Sequence, residues 1–299
     1  MIDSPLPPAL PAERRDLDSP AGRLSLYSAR PGGAHAALPP ILLLHSVNAA
    51  GSAAEVAPLF AHYRQQRAVY ALELPGFGCS DRSDRPYTPR LMTDALHAAL
   101  AAIQAEQGGA AADVLALSLS SEFVARLGCE APQLVRRLAL VSPTGFSGKR
   151  RRYGPAGAVI GPPWLLRLLR WPPWSEGIYK TLTRPAVIRY FLARTWGSPA
   201  IDEALWHYDV LTTRQPGARF APLSFVSAQM FSADINTLYQ ALAGPVWVSM
   251  ATRGDFTDYQ GRDTVADRSN WQFHTIEGGA LPYFEDLAGF TRLIDPFWA

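Results

Sequence analysis

The stretch DVLALSLSSEFVARLG, Asp113 to Gly128, decides the fold. Its first half is a short apolar run, as a strand buried on both faces requires. From Leu119 to about Gly128 the apolar spacing becomes helical, and Ser118 falls at the junction. A sharp strand-to-helix turn lifts a serine above the sheet, at the N-terminus of the following helix. Free backbone N–H groups and the helix dipole there favour developing negative charge. Strand and helix approach closely at such a turn, so small residues are needed two before and two after the serine. Ala116 and Ser120 meet that need.

Working outward, GRLSLYSAR after Gly22 alternates with period two, which predicts a half-buried edge strand. ILLLHS (Ile41–Ser46) and AVYALEL (Ala68–Leu74) read as buried strands. Between them, Ser52 followed by Glu55 has the spacing of a capping box and predicts a helix start. Thr88, Pro89 and Gly108 mark the N-cap, first turn and end of a second helix. RRLALVS supplies a further strand, completing a βαβαβ series whose physical solution is a parallel sheet with helices on both faces. From about Gly145 to Gly244 the rhythm breaks into helix formers, Trp and Arg. It resumes with PVWVSM, WQFHTIE and a closing helix predicted over Tyr283–Ile294. The expected organisation is a flexible or extended lead-in over 1–21, an α/β core over 22–145 and 241–299, and a helical cap over 146–240.

The bulk numbers fit this picture. A hydrophobic content of 48% with 18% charged residues is ordinary for a globular chain, and the net charge of +2 is too small to imply a nucleic-acid partner. Cys79 and Cys129 give neither a disulfide framework nor metal-ligand spacing. The N-terminus lacks the order of a secretory signal, and no apolar run reaches the roughly 18 residues needed to span a bilayer. The expected location is the cytoplasm.

Four motifs in order resemble the α/β-hydrolase family, over nearly the whole chain after residue 22. LLLHSVNAAGS is similar to its His-Gly-x segment, with Ser46 in place of glycine. LELPGFGCSDR is similar to its Asp-x-Pro-Gly-x-Gly-x-Ser loop, with Glu73 in the aspartate position. LALSLSS resembles the nucleophile elbow, with both glycines replaced, and TRGDFTD resembles the segment bearing the triad acid. The resemblance implies a mostly parallel sheet flanked by helices, with a helical cap inserted after the sixth strand. It implies Ser118 as nucleophile and Asp255 as acid, Asp258 being a weaker candidate. It also implies an oxyanion hole from the amides of Leu119 and Val47, less surely Ser46. Such donors are worth roughly 3 kcal/mol of transition-state stabilisation each.

The third triad member is missing. In GGALPYFE (Gly278–Glu285), Leu281, Pro282 and Glu285 pin the alignment and put Ala280 where the family has its histidine. Removing the base of a serine triad costs roughly 10⁶-fold in rate. What remains, about 10³–10⁴ over water, comes from the oxyanion hole and binding. The candidate substitute bases are His207, on a predicted cap helix, and His45, whose family counterpart is structural. His274 should face the sheet, and His35, His62 and His97 read as surface or helix-packing residues. Tyr283 could project into the pocket, but a phenol with a pKa near 10 is a poor base, so packing or binding a polar end of a ligand suits it better. This reading requires no cofactor and no metal.

The cap carries the clearest electrostatic asymmetry. Lys149 to Arg219 hold two lysines and ten arginines against four carboxylates, a net +8 in a chain of +2. Within it, GAVIGPPWLLRLLRWPPW puts Trp164, Leu165, Leu168 and Trp171 at helical spacing beside Arg167 and Arg170. That suits either a cap helix packed on the core or a basic Trp-rich contact with a membrane interface. Two functions follow as expectations. One is a hydrolase acting through Ser118 on an ester or related acyl substrate with an apolar portion. The other is a non-catalytic protein that uses the cleft for a hydrophobic small molecule or a membrane contact.

Overall fold

The computed structural model describes residues 5–31, 38–255 and 257–299; the reading of His35 lies outside them. Eight strands form one sheet: β1 (Glu13–Leu17), β2 (Leu24–Ala29), β3 (Ile41–Leu44), β4 (Val69–Glu73), β5 (Ala112–Leu117), β6 (Val135–Val141), β7 (Val246–Ala251) and β8 (Trp271–Ile276). Their spatial order is β1-β2-β4-β3-β5-β6-β7-β8. The pairs β1/β2 and β2/β4 are antiparallel and the rest parallel. The chain therefore has an α/β architecture with a mostly parallel sheet.

The apolar runs are continuous because the sheet is covered on both faces. Leu42, Leu44, Val114 and Ala116 enter one core with helices α2 (Pro89–Glu106) and α3 (Ser120–Glu130). Their neighbours Ile41, Leu43, Leu115 and Leu117 enter the other with α1 (Ala57–Tyr63). The closing segment joins that second core, but as two pieces, α10 (Pro282–Glu285) and α11 (Leu287–Trp298). The break falls at Asp286, whose side chain accepts from the Gly289 amide at 2.8 Å and starts the second helix.

Three local expectations are corrected. The lead-in over 1–21 contains β1, paired from Glu13↔Ser28 to Leu17↔Leu24. Prolines exclude helix from this segment but not an edge strand that begins after them. Leu10 is buried, and Ala9 donates its amide to the Tyr27 hydroxyl at 2.9 Å, which pins the approach. Consequently β2 is an interior strand with Leu24–Tyr27 all buried, not a half-buried edge. Ser52 makes no capping bond, and a 3-10 turn over Ala53–Val56 precedes α1. The Glu55 side chain turns away to Ser46 and Asn48. At the second helix, Thr88 accepts from the Leu91 amide as its sequence predicts.

Between β6 and β7 lie six helices: α4 (Pro163–Leu169), α5 (Pro172–Leu182), α6 (Pro185–Trp196), α7 (Glu203–Thr212), α8 (Phe220–Val226) and α9 (Ile235–Ala241). No helix of the described residues is long and apolar enough to cross a membrane. Two ion pairs rivet the base of this insertion to α3. Glu122, fully buried, accepts from Arg152, from the Thr144 hydroxyl at 2.5 Å and from the Ser232 amide at 2.8 Å. One turn on, Arg126 pairs with Asp234 at 2.7 Å. Breaking one partner of such a pair strands a buried charge, so Glu122→Ala is expected to cost about 3 kcal/mol in urea unfolding. A loss below about 1 kcal/mol, the worth of an exposed pair, would contradict that role.

Candidate active site

Ser118 follows β5 directly with φ at 48°, a left-handed conformation that is costly for a residue bearing a Cβ. Its amide donates to Val141 at 2.9 Å, and its carbonyl accepts from Ser121 at 3.1 Å. Ser120, where a glycine was expected, donates its hydroxyl to the His45 carbonyl at 2.5 Å and ties the elbow to the loop after β3. The geometry is therefore that of a sharp strand-to-helix elbow with Ser118 at its turn. Among the described residues, the buried amides of Leu119 and Val47 have no hydrogen-bond partner. Buried N–H groups are rarely left so.

Ser46 has no free amide. Its amide is spent on the Glu55 carboxylate at 2.6 Å, its hydroxyl on the same group at 3.1 Å. Asn48 adds a bond to Glu55 at 2.7 Å. A glycine could not supply the hydroxyl bond.

Neither candidate base is free to serve. His45 is fully buried, with Nδ1 2.6 Å from the Ser46 carbonyl and Nε2 accepting from the Leu74 amide at 3.0 Å. Both ring nitrogens are committed to backbone, and burial pushes its pKa down to about 4. His207 lies on the outer face of α7, exposed and packed on Trp206, whereas the buried face presents Leu205, Asp209 and Thr212. His274 stacks on Trp247 in the sheet, at a ring separation of 5.2 Å. His62 meets Asp295 at 3.3 Å and His97 meets Glu130 at 3.5 Å, both as helix-packing residues.

The triad loops are occupied elsewhere. Asp255 forms a two-pronged pair with Arg194 of α6, at 2.6 and 2.5 Å, in an exposed position. Its amide donates to the Arg194 carbonyl at 3.2 Å. Ala280 is buried, its amide donating to the Thr195 carbonyl at 2.9 Å and its carbonyl accepting from Ser142 at 3.0 Å. A Cβ on Gly279 would come within 2.5 Å of Trp196 Cα. The loop is held from behind by Glu285, which accepts from the Gly279 amide at 2.7 Å and pairs with Arg253. Asp258 binds Ser147 at 2.7 Å and the Gly148 amide at 3.2 Å, and the Ser147 hydroxyl lowers its pKa. Tyr283 is buried and donates its hydroxyl to the Glu55 carbonyl at 2.8 Å, and it lines a cavity with Leu205, Tyr208 and Phe284. Among the described residues no hydrogen bond joins Ser118 to Asp255, Asp258 or Ala280. Glu73 is structural, accepting from the Cys79 amide at 2.6 Å, and both cysteines are free.

This sheet, with its mostly parallel strands and flanking helices, has the α/β-hydrolase fold. Residues 39–179 match the family model described as alpha/beta hydrolase fold. No curated protein matches the sequence. Among solved structures, the chain is similar to a serine hydrolase involved in carbazole degradation (CarC), at 13% identity and a TM-score of 0.72, covering 96% of this chain and 98% of that one. It is similar to Cfl2 from Burkholderia cenocepacia, at 21% identity and 0.72, covering 96% and 95%. It is also similar to an enol-lactonase from Burkholderia xenovorans, at 17% and 0.68, covering 95% and 99%. At these identities the likeness is one of fold. Among the described residues no cluster of three or more His, Cys, Asp or Glu could hold a metal ion.

Two acids that sequence reasoning passed over meet beneath the cap. Asp209 of α7 is buried with Oδ1 unpartnered, and burial, then the nearby Glu55 charge, pushes its pKa well up. Burial raises the pKa of Glu55 as well, against the opposing bonds from Ser46 and Asn48. An acid whose folded-state pKa is raised stabilises the fold while protonated and loses that contribution as pH climbs past its unfolded value near 3.8. Asp209→Asn is therefore expected to raise the thermal midpoint by about 2 °C or more at pH 8, with a gap that narrows towards pH 4. A gap independent of pH, read by circular dichroism, would rule out the ionisation of Asp209 as its cause.

Proposed function

We propose that the chain is a non-catalytic member of its family that binds a carbonyl or carboxylate of a small molecule with an apolar portion. The single observation behind this reading is the engagement of both triad loops with α6. Asp255 is spent on Arg194, and position 280 carries no imidazole and gives its amide to Thr195. Without a group to take the Ser118 proton, a bound acyl group is held and not cleaved. What supports binding is a cradle: the Ser118 hydroxyl at a strained turn and two buried, unpaired amides beside it. We place the protein in the cytoplasm, where its two free cysteines stay reduced.

A serine hydrolase acting on an ester or related acyl substrate is the second reading. The strained elbow favours it, because a serine held at positive φ is a cost that catalysis would justify.

A fluorophosphonate probe followed by mass spectrometry separates the two. The wild type is expected to remain unlabelled at Ser118 while binding 11-(dansylamino)undecanoate in a form displaced by decanoate. Ala280→His is expected to stay unlabelled as well, because Asp255 remains held by Arg194. Phosphonylation of Ser118 in the wild type would establish the hydrolase reading. Absence of both labelling and fatty-acid binding would defeat the proposal.

A further inference from the structure

The cap turns an aromatic face to solvent. Helix α4 buries none of its residues, and Trp164 and Leu168, one turn apart on it, are 62% and 45% exposed. The face continues without a break into α5. Trp174 donates its indole N–H to the Leu168 carbonyl at 2.7 Å, and Trp171 stacks on Trp174 with ring centres 5.5 Å apart. Trp171 is 53% exposed and Trp174 41%. Helix α4 rests on α5 and α8 with these rings left outside. Single exposed apolar residues are ordinary, but a contiguous group of three tryptophans and a leucine marks an interaction surface.

The charge around the face selects the partner. Arg167 of α4 and Arg219 have no carboxylate partner among the described residues. Arg219 lies over the Phe220 ring at 4.4 Å and close enough to Arg170 to lower its pKa, after the larger effect of burial. The local carboxylates are neutralised, Asp84 by Arg170 and Glu176 by Lys180 at 2.8 Å. A second copy docked on the same face would set uncompensated arginines against one another. Tryptophan rings at headgroup depth with arginines beside them match an anionic bilayer surface.

We infer that the α4–α5 face, through Trp164, Leu168, Trp171 and Trp174 with Arg167 and Arg219, docks the protein on an anionic phospholipid surface. The docking is peripheral and independent of Ser118. It places the cap against the lipid, with the core sheet on the far side of the α4 and α5 helices.

The test is flotation with vesicles of equal parts phosphatidylglycerol and phosphatidylcholine, against vesicles of phosphatidylcholine alone, at low and high salt. Wild-type protein is expected to float with the anionic vesicles, to be released by high salt, and to show a blue-shifted tryptophan emission when bound. Trp164→Ala with Trp171→Ala is expected to weaken binding by roughly tenfold or more, and so is Arg167→Glu. Both substitutions are exposed, so an unchanged circular dichroism melt shows that folding is not the cause. No binding to anionic vesicles, equal binding to both kinds, or binding that survives both variants would each overturn the inference. So would a dimer in light scattering that the double variant abolishes, because the face would then belong to a second copy.

Discussion

A helix ends with carbonyls that its own backbone cannot satisfy. At the C-terminus of α6 these groups are met in part by the two loops that in a triad would carry acid and base. The Asp255 amide reaches the Arg194 carbonyl, and the Ala280 amide reaches the Thr195 carbonyl. Gly197, at φ 62°, turns the chain off the helix and brings its backbone against Gly254. The close approach leaves no room for a Cβ at Gly279 and buries a small side chain at Ala280. The buried alanine at position 280 and the docked cap are thus two aspects of one contact. The Arg194 side chain reinforces it by holding the Asp255 carboxylate.

The other attachments of the cap are polar and unequal. Glu122 with Arg152 and Arg126 with Asp234 are satisfied pairs at the elbow helix. Over the loop after β3 the contact is less complete. Tyr179 of α5, buried, places its hydroxyl 3.5 Å from the Ala49 carbonyl, and Asp209 of α7 keeps an unpartnered oxygen near Glu55. Buried polar groups cost free energy unless paired. The cap is therefore held most firmly at its base and at α6, and least firmly over the loop after β3.

Much of the fold was legible because it rests on short-range pattern. Buried strands show as unbroken apolar runs, and Ser118 marks the point where the period changes. Pro282 opens α10 and Glu285 holds the Gly279 amide, so this segment forms a short turn of helix at the place its proline marks. The errors share one cause, which is a partner distant in sequence. Glu55 has a capping spacing but turns to Ser46 and Asn48. β1 needs β2 to become a strand, and Asp255 needs Arg194, far back in the cap, to be drawn aside. His207 was a fair candidate by position, but the register of α7 turns Asp209 inward in its place.

Amide hydrogen exchange at Asp255 and Ala280, resolved by NMR in the folded protein, tests the central contact most directly. Slow exchange is expected at both, because each amide is bonded to a carbonyl of α6. Arg194→Ala is expected to speed exchange at Asp255. Exchange of both amides at the rate of free chain would contradict the contact. The cap would then leave the triad loops open, and their engagement could not explain a silent Ser118.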